Sequence, residues 1–117
     1  MKIFKYISIF VCVFSMSSIT SVSQNIETDS IRISEKFYNN ATSLIKEKKY
    51  HQAKQQLRNA QKIAPIEKKP KVFNLQGTVC WYIGQYDSAL AFYTESLRYS
   101  QKIENRKYES MAYNNIG

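Results

Sequence analysis

The stretch from Phe73 to Ser96, FNLQGTVCWYIGQYDSALAFYTES, decides the fold of this chain. Its apolar residues recur at steps of three and four on both sides of Gly84-Gln85, which is the spacing of one face of an α-helix. Glycine commonly terminates helices, so we expect Gly84 to end the first helix and to leave a short turn before the second. The stretch therefore predicts a pair of antiparallel helices joined near Gly84.

The same order of residue classes occurs 36 residues earlier in the chain. The order is aromatic, small, aromatic, alanine, large apolar, small, and it recurs without a gap. The first copy consists of Phe37, Ala41, Tyr50, Ala53, Leu57 and Ala60. The second copy consists of Phe73, Gly77, Tyr86, Ala89, Tyr93 and Ser96. Such repetition predicts helical pairs that stack and share their core.

A third copy begins near the C-terminus, where residues 113–117, YNNIG, parallel residues 73–77, FNLQG, at an offset of 40. Lys48-Lys49 is expected to form the turn of the first pair. Pro65 and Pro70 flank the junction between the two complete copies, where neither helix can continue.

The repeated pattern resembles the tetratricopeptide repeat family. The second copy matches the family pattern at Phe73, Gly77, Ala89 and Tyr93, with Gly84 and Tyr86 in the turn; the first matches at Phe37, Ala53, Ala60 and Pro65. The resemblance implies an all-α fold, an α-solenoid over residues 34–117, with repeats at about 34–67, 70–103 and a partial one at 110–117. The small residues would let paired helices approach closely, and the aromatics at 37, 50, 73, 86 and 93 would fill the wedges between pairs.

The resemblance also implies a binding function. In this family the first helix of each pair lines a concave surface that holds a peptide or a partner helix. The positions of this sequence that fall on that surface are Glu35, Tyr38, Thr42 and Ile45 in the first copy and Lys71, Asn74, Thr78 and Trp81 in the second. Tyr38 and Trp81 are the preferred contacts because aromatic residues dominate binding hot spots. Packing of Trp81 against the neighbouring pair is the alternative.

The first 23 residues have the pattern of a secretory signal peptide. Lys2 and Lys5 precede a short apolar run over residues 6–14, and small polar residues continue to Ser23. We expect cleavage after Ser23, a linker or leading turn over residues 24–33, and export to the periplasm or cell envelope. An uncleaved anchor and lipidation at Cys12 are the alternatives, although Val11 is not the small residue that a lipoprotein signal needs before its cysteine.

Composition argues against several other functions. Lysine and arginine total 17 against 9 acidic residues, so removal of Lys2 and Lys5 leaves 15 minus 9, an excess of +6. The lysines between Lys46 and Lys71 are expected to coat solvated faces, because the single aromatic among them, Tyr50, does not make the stacking platform of a nucleic-acid binder. We therefore expect no nucleic-acid partner, and membrane contact only through the signal segment if it is not cleaved. Contact of these lysines with membrane headgroups is the alternative.

No catalytic or metal-binding constellation is visible in the sequence. One His and one Cys beyond residue 23 are too few for a four-ligand zinc site, and no glycine-rich phosphate loop is present. His51 is expected to be an exposed residue at a helix start, and Cys80 a packed thiol. The sequence thus predicts a binding module without cofactor, metal or enzymatic activity.

A rival interpretation is that the chain is the sensor portion of a membrane signal-transduction protein whose output part, a histidine kinase or a DNA-binding regulator, is missing. The opening of the third copy, residues 113–117, resembles such exported sensor regions. Two complete copies and an uncapped third are fewer than stacked repeats generally need. The sequence therefore predicts marginal stability or self-association through the third repeat.

Overall fold

The computed structural model describes the backbone of residues 2–117 and the side chains of residues 22–117. Within that range the chain is all-helical, with a short 3₁₀ turn at Ile66–Lys68 between the second and third helices. The helices are α1 (Lys2–Lys46), α2 (Tyr50–Ile63), α3 (Lys69–Tyr82), α4 (Tyr86–Lys102) and α5 (Arg106–Ile116). Each helix packs against the next one along the chain, and α3 also contacts α5. The predicted all-α class is confirmed.

The N-terminal region differs from the expectation. Residues 24–33, predicted as a linker or leading turn, belong to α1. These residues are mostly polar and exposed, so they lack the apolar stripe by which a sequence pattern identifies a packed helix. The signal-peptide prediction, residues 1–23, rests on side chains that lie almost entirely outside the described residues.

The three turns that join consecutive helices at Lys48, Gly84 and Glu104 have the same geometry. All three residues adopt the left-handed conformation, with φ of 61°, 80° and 57°. In each turn this residue donates its N–H to the carbonyl three residues earlier, and the next residue donates to the carbonyl five residues before it. This pattern satisfies the carbonyls that a helix end leaves unpaired. The turns within the two helical pairs and the turn between α4 and α5 therefore have the same backbone geometry.

The junction between the two pairs follows from its prolines. α2 ends at Ile63, Pro65 precedes the 3₁₀ turn, and Pro70 occupies the first turn of α3, where its missing N–H is not needed. The Lys69 ammonium donates to the Gln61 carbonyl in the last turn of α2. A cation at this end also complements the helix dipole.

The core is shared between the two pairs. The cluster formed by Ala41, Ala53 and Leu57 of the first pair is completed by Val79 of α3, and all four side chains are fully buried. Val72, also on α3, packs in the same way against alanines at the end of α2. Because α3 supplies residues to both clusters, the first pair does not bury its apolar surface without the second.

The second pair is held by one close approach and one buried hydrogen bond. Gly77 of α3 faces the Tyr93 ring of α4, and a Cβ built on Gly77 would lie 2.6 Å from two ring carbons. The buried Ser96 hydroxyl donates to the Pro70 carbonyl at 2.8 Å. The bond pairs a carbonyl in the first turn of α3 with a hydroxyl that would otherwise be buried unsatisfied.

Candidate functional site

The first helices of the two pairs, α1 and α3, are joined by an ion cluster. The Lys71 ammonium lies 2.6 Å from one oxygen of the Glu35 carboxylate and donates to the other at 2.8 Å. Lys68, in the 3₁₀ turn, lies 3.2 Å from the same carboxylate. Burial by itself would raise the pKa of Glu35, but hydrogen bonds and charge from Lys71 and Lys68 outweigh burial, so the pKa lies below its ordinary value of 4.5.

Tyr38 lies beside this cluster. The Lys71 ammonium is 4.3 Å from the centre of the Tyr38 ring, a cation–π distance. Burial raises the pKa of the Tyr38 hydroxyl, and the nearby Tyr108 and Glu35 raise it further. Tyr38 is therefore a neutral, half-buried ring that contacts Lys71 of α3, lies near Tyr108 of α5, and packs on the core clusters that include residues of α2.

α3 is joined to α5 through amides on the same side. The Asn115 side chain donates to the Asn74 side chain at 2.7 Å. One helical turn further along α3, the Thr78 hydroxyl lies 3.2 Å from the Tyr93 hydroxyl. We call the surface formed by Glu35, Tyr38, Lys71, Asn74 and Asn115 the odd-helix face, because its residues come from α1, α3 and α5.

Three of the predicted contacts have limited capacity to bind a partner. Thr42 donates its hydroxyl to the Tyr38 carbonyl at 3.0 Å, as Thr78 does to the Asn74 carbonyl at 3.1 Å. Ile45 packs against the core cluster that α1, α2 and α3 share. Both threonine donors are thus occupied within their own helices.

Trp81 lies apart from these residues, in a cluster of aromatic rings at the end of the molecule where the turns at Lys48 and Gly84 are found. Its ring meets Tyr82 and Tyr86 edge-on, with centroids 5.8 and 6.3 Å apart, and Tyr82 in turn stacks on Tyr50 at 5.2 Å. We call these four residues the aromatic patch. Trp81 is 55% exposed and does not pack between the two pairs.

The exposure of Tyr86 differs from the expectation that it fills a wedge between pairs. Tyr86 is 63% exposed, whereas its counterpart Tyr50 is partly buried. The reason is the difference in partners, because Tyr50 stacks face to face on a ring of the following pair, whereas Tyr86 meets the edge of Trp81. The other repeat positions of α3 and α4, among them Phe73, Ala89 and Ser96, are buried.

The outer side of the first pair is polar. A groove of about 350 Å³ between α1 and α2 is lined by Asn40, Ser43, Leu44, Glu47, Gln52 and Gln56. Asn40 and Ser43 are exposed, while the residues 36 positions later, Gln76 and Val79, are buried against the first pair. This side therefore has little of the apolar area on which another helical pair would stack.

Among residues 22–117, whose side chains the structure describes, the other residues able to carry chemistry are not brought together. His51 is exposed at the start of α2, and the Cys80 thiol is fully buried, which raises its pKa. Among the described residues no group of His, Cys, Asp and Glu is arranged to hold a metal ion. Within the same part of the chain no helix is long and apolar enough to cross a membrane.

Sequence reasoning missed Lys68, Tyr82 and Asn115. Lys68 lies three residues before Lys71, so it would extend the same helical stripe, but Pro70 suggested that the helix begins later. Asn115 is one residue away from Asn114, the position aligned with Asn74 at the offset of 40. No local pattern identifies Tyr82, because its partner Tyr50 lies 32 residues earlier in the sequence.

Comparison with protein-family models, with curated proteins and with solved structures finds no match to this chain.

Proposed function

We propose that this chain is a non-catalytic binding module of the tetratricopeptide type, and that it holds a segment of another protein across the odd-helix face. The observation that carries the proposal is the meeting of side chains from alternate helices on one side of the molecule. Glu35 and Tyr38 of α1 contact Lys71 of α3, and Asn74 of α3 contacts Asn115 of α5. Three helices aligned in this way offer a continuous surface along which a peptide can lie.

The chemistry of this surface suits recognition without catalysis. It presents a half-buried aromatic ring, a partly exposed ion cluster and a pair of amides, which together supply apolar area, charge and hydrogen bonds. General acid–base or nucleophilic catalysis needs a base beside a proton donor or a nucleophile. On this face the one carboxylate, Glu35, is neutralised by two lysines.

Export is part of the proposal and rests on the signal-peptide pattern of residues 1–23. Mass spectrometry of the protein purified from its own cells would give the mass of the N-terminal peptide. A new N-terminus at or near Gln24 in an envelope fraction is expected. Recovery of the intact N-terminus in the cytoplasmic fraction would contradict export while leaving the binding proposal in place.

The binding proposal is tested with a displayed library of random peptides selected on the immobilised protein. We expect enriched sequences whose affinity falls at least tenfold, about 1.4 kcal/mol, in Asn74→Arg, because the longer side chain occupies the middle of the face and breaks the bond to Asn115. The matched control is Thr94→Arg, which places the same side chain on an exposed position of α4. Enrichment of no peptide, or equal losses in both variants with unchanged helicity, would refute the proposal.

A further inference from the structure

The aromatic patch lies at the end of the molecule that carries the turns between α1 and α2 and between α3 and α4. Trp81 and Tyr82 are the last residues of α3, and Tyr86 is the first residue of α4. These three side chains are 55%, 50% and 63% exposed. Aromatic side chains present 150–250 Å² each, so the three together expose roughly 300 Å². An exposed patch of that size on a monomer is commonly functional.

The residue types in the patch are those of a polar–apolar boundary. Each ring has an apolar body and one polar atom, the tyrosine hydroxyl or the indole N–H, so it can be half immersed in an apolar medium while its polar atom contacts water. Tryptophan and tyrosine are enriched at membrane–water interfaces for this reason. A buried protein core would instead favour Leu, Ile and Phe.

Cations surround the patch. Lys54 donates to the Gln85 side chain at 2.8 Å, directly beside Tyr86, and Lys48 and Lys49 immediately precede Tyr50. The charged residues of 46–58 and 81–90, the two segments that contain these turns, are Lys46, Lys48, Lys49, Lys54 and Arg58 against Glu47 and Asp87. Five cations and two carboxylates leave an excess of +3 at this end.

Arg58 follows Lys54 by four residues on α2, so the two cations lie on the same face of that helix.

We propose that the aromatic patch and its surrounding lysines dock the protein onto the surface of a bilayer that contains anionic phospholipids. The rings would lie at headgroup level and the lysines would contact the phosphates, each cation near the surface adding to the attraction. Exposed tryptophan and tyrosine beside lysines are the combination that an anionic membrane surface attracts. This contact lies outside the predicted signal segment and is independent of the odd-helix face.

The chain contains a built-in reporter for this contact, because Trp81 is its one tryptophan. Trp81 fluorescence is followed as the full chain is titrated with vesicles of phosphatidylcholine alone or with 30% phosphatidylserine, at low salt. We expect a blue shift of the emission with the anionic vesicles and quenching by lipids brominated near the headgroup. We also expect 0.5 M salt to reverse both effects, because screening removes the attraction between the lysines and the phosphates. The position of Trp81 also distinguishes this contact from attachment of the protein through residues 1–23, because such attachment would leave the emission of Trp81 unchanged.

Charge-reversal variants test the lysines. Lys48→Glu combined with Lys54→Glu should lower vesicle affinity at least 25-fold, since each lysine near such a surface contributes about fivefold. Lys102→Glu with Lys107→Glu, at the turn between α4 and α5, changes the net charge equally and should lower affinity by less than threefold.

Four results would overturn the proposal: no shift with anionic vesicles, an equal shift with neutral vesicles, equal losses in the two charge-reversal pairs, or vesicle binding abolished by a stoichiometric single-stranded oligonucleotide. The last result would assign the patch to nucleic acid.

Discussion

Replacing Gly77 with alanine tests how closely α3 and α4 pack. The added methyl group would lie 2.6 Å from Cδ1 and Cε1 of Tyr93 and 3.0 Å from its Cζ. Overpacking of this kind costs about 1–3 kcal/mol, while alanine in a helix gains roughly 0.5–1 kcal/mol over glycine. The net expectation is a loss of about 1–2 kcal/mol in the free energy of unfolding, or on the order of 5–10 °C in Tm for a domain of this size.

The assay is urea denaturation followed by far-ultraviolet circular dichroism. The effect of Gly77→Ala is measured in three proteins, which have Tyr, Phe or Leu at position 93. Tyr93→Phe removes the hydroxyl that contacts Thr78 and keeps the ring, so Gly77→Ala should cost the same there as in the wild type. Tyr93→Leu removes the ring, so Gly77→Ala should become neutral or stabilising by up to about 1 kcal/mol. The change of sign is the diagnostic result.

Two outcomes would refute this reasoning. One is a Gly77→Ala protein as stable as the wild type with Tyr93 intact, which would mean that the ring moves away at no cost. The other is the same loss in the Tyr93→Leu background, which would mean that the ring is not the obstacle. Gly84→Ala is the control, because its φ of 80° strains alanine while no atom lies within 4 Å, so its cost should not depend on position 93.

Two further predictions concern the turns and the ion cluster. Lys48→Gly and Glu104→Gly should each stabilise the protein by about 0.5–1 kcal/mol, because glycine adopts the left-handed conformation freely, as Gly84 does; a fall in the urea midpoint would contradict this. The lowered pKa of Glu35 means that its ionised form stabilises the fold above the ordinary pKa of 4.5 and that this contribution is lost as the pH falls through the folded-state value. Stability measured from pH 7 to pH 3 should therefore fall more steeply in the wild type than in Glu35→Gln, and parallel curves would show that the cluster contributes nothing.

Most of the helices were predictable because they depend on the spacing of residue types along a short stretch of the chain. Apolar residues at steps of three and four, glycine at one turn and proline at the junction constrain the backbone within a few residues of themselves. The close approach of α3 and α4 was predicted from the small residue at Gly77. Tyr93 was predicted to fill a wedge between pairs, but it packs on Gly77 within the second pair, because α4 lies directly against α3. The helix over residues 24–33 was missed because its residues have no apolar stripe to reveal them.

The surfaces were only partly predictable. The family resemblance pointed to Tyr38, Lys71 and Asn74, and the structure brings these residues into contact with side chains of the other odd-numbered helices. The resemblance did not predict that Lys71 would be bound to Glu35, because an ion pair depends on the distance between two helices and not on the order of residues in either one.

The sequence by itself determined the turns near Lys48 and Gly84 and most of the residues that face the core, because those properties depend on neighbours within one or two helical turns. The tertiary structure alone decided the aromatic patch and its cations. Tyr50 meets Tyr82 across 32 residues, and Lys54 meets Gln85 across 31. Contacts of that span require the two helical pairs to stack in one register, and that register is set by burial of Val72 and Val79 against the first pair.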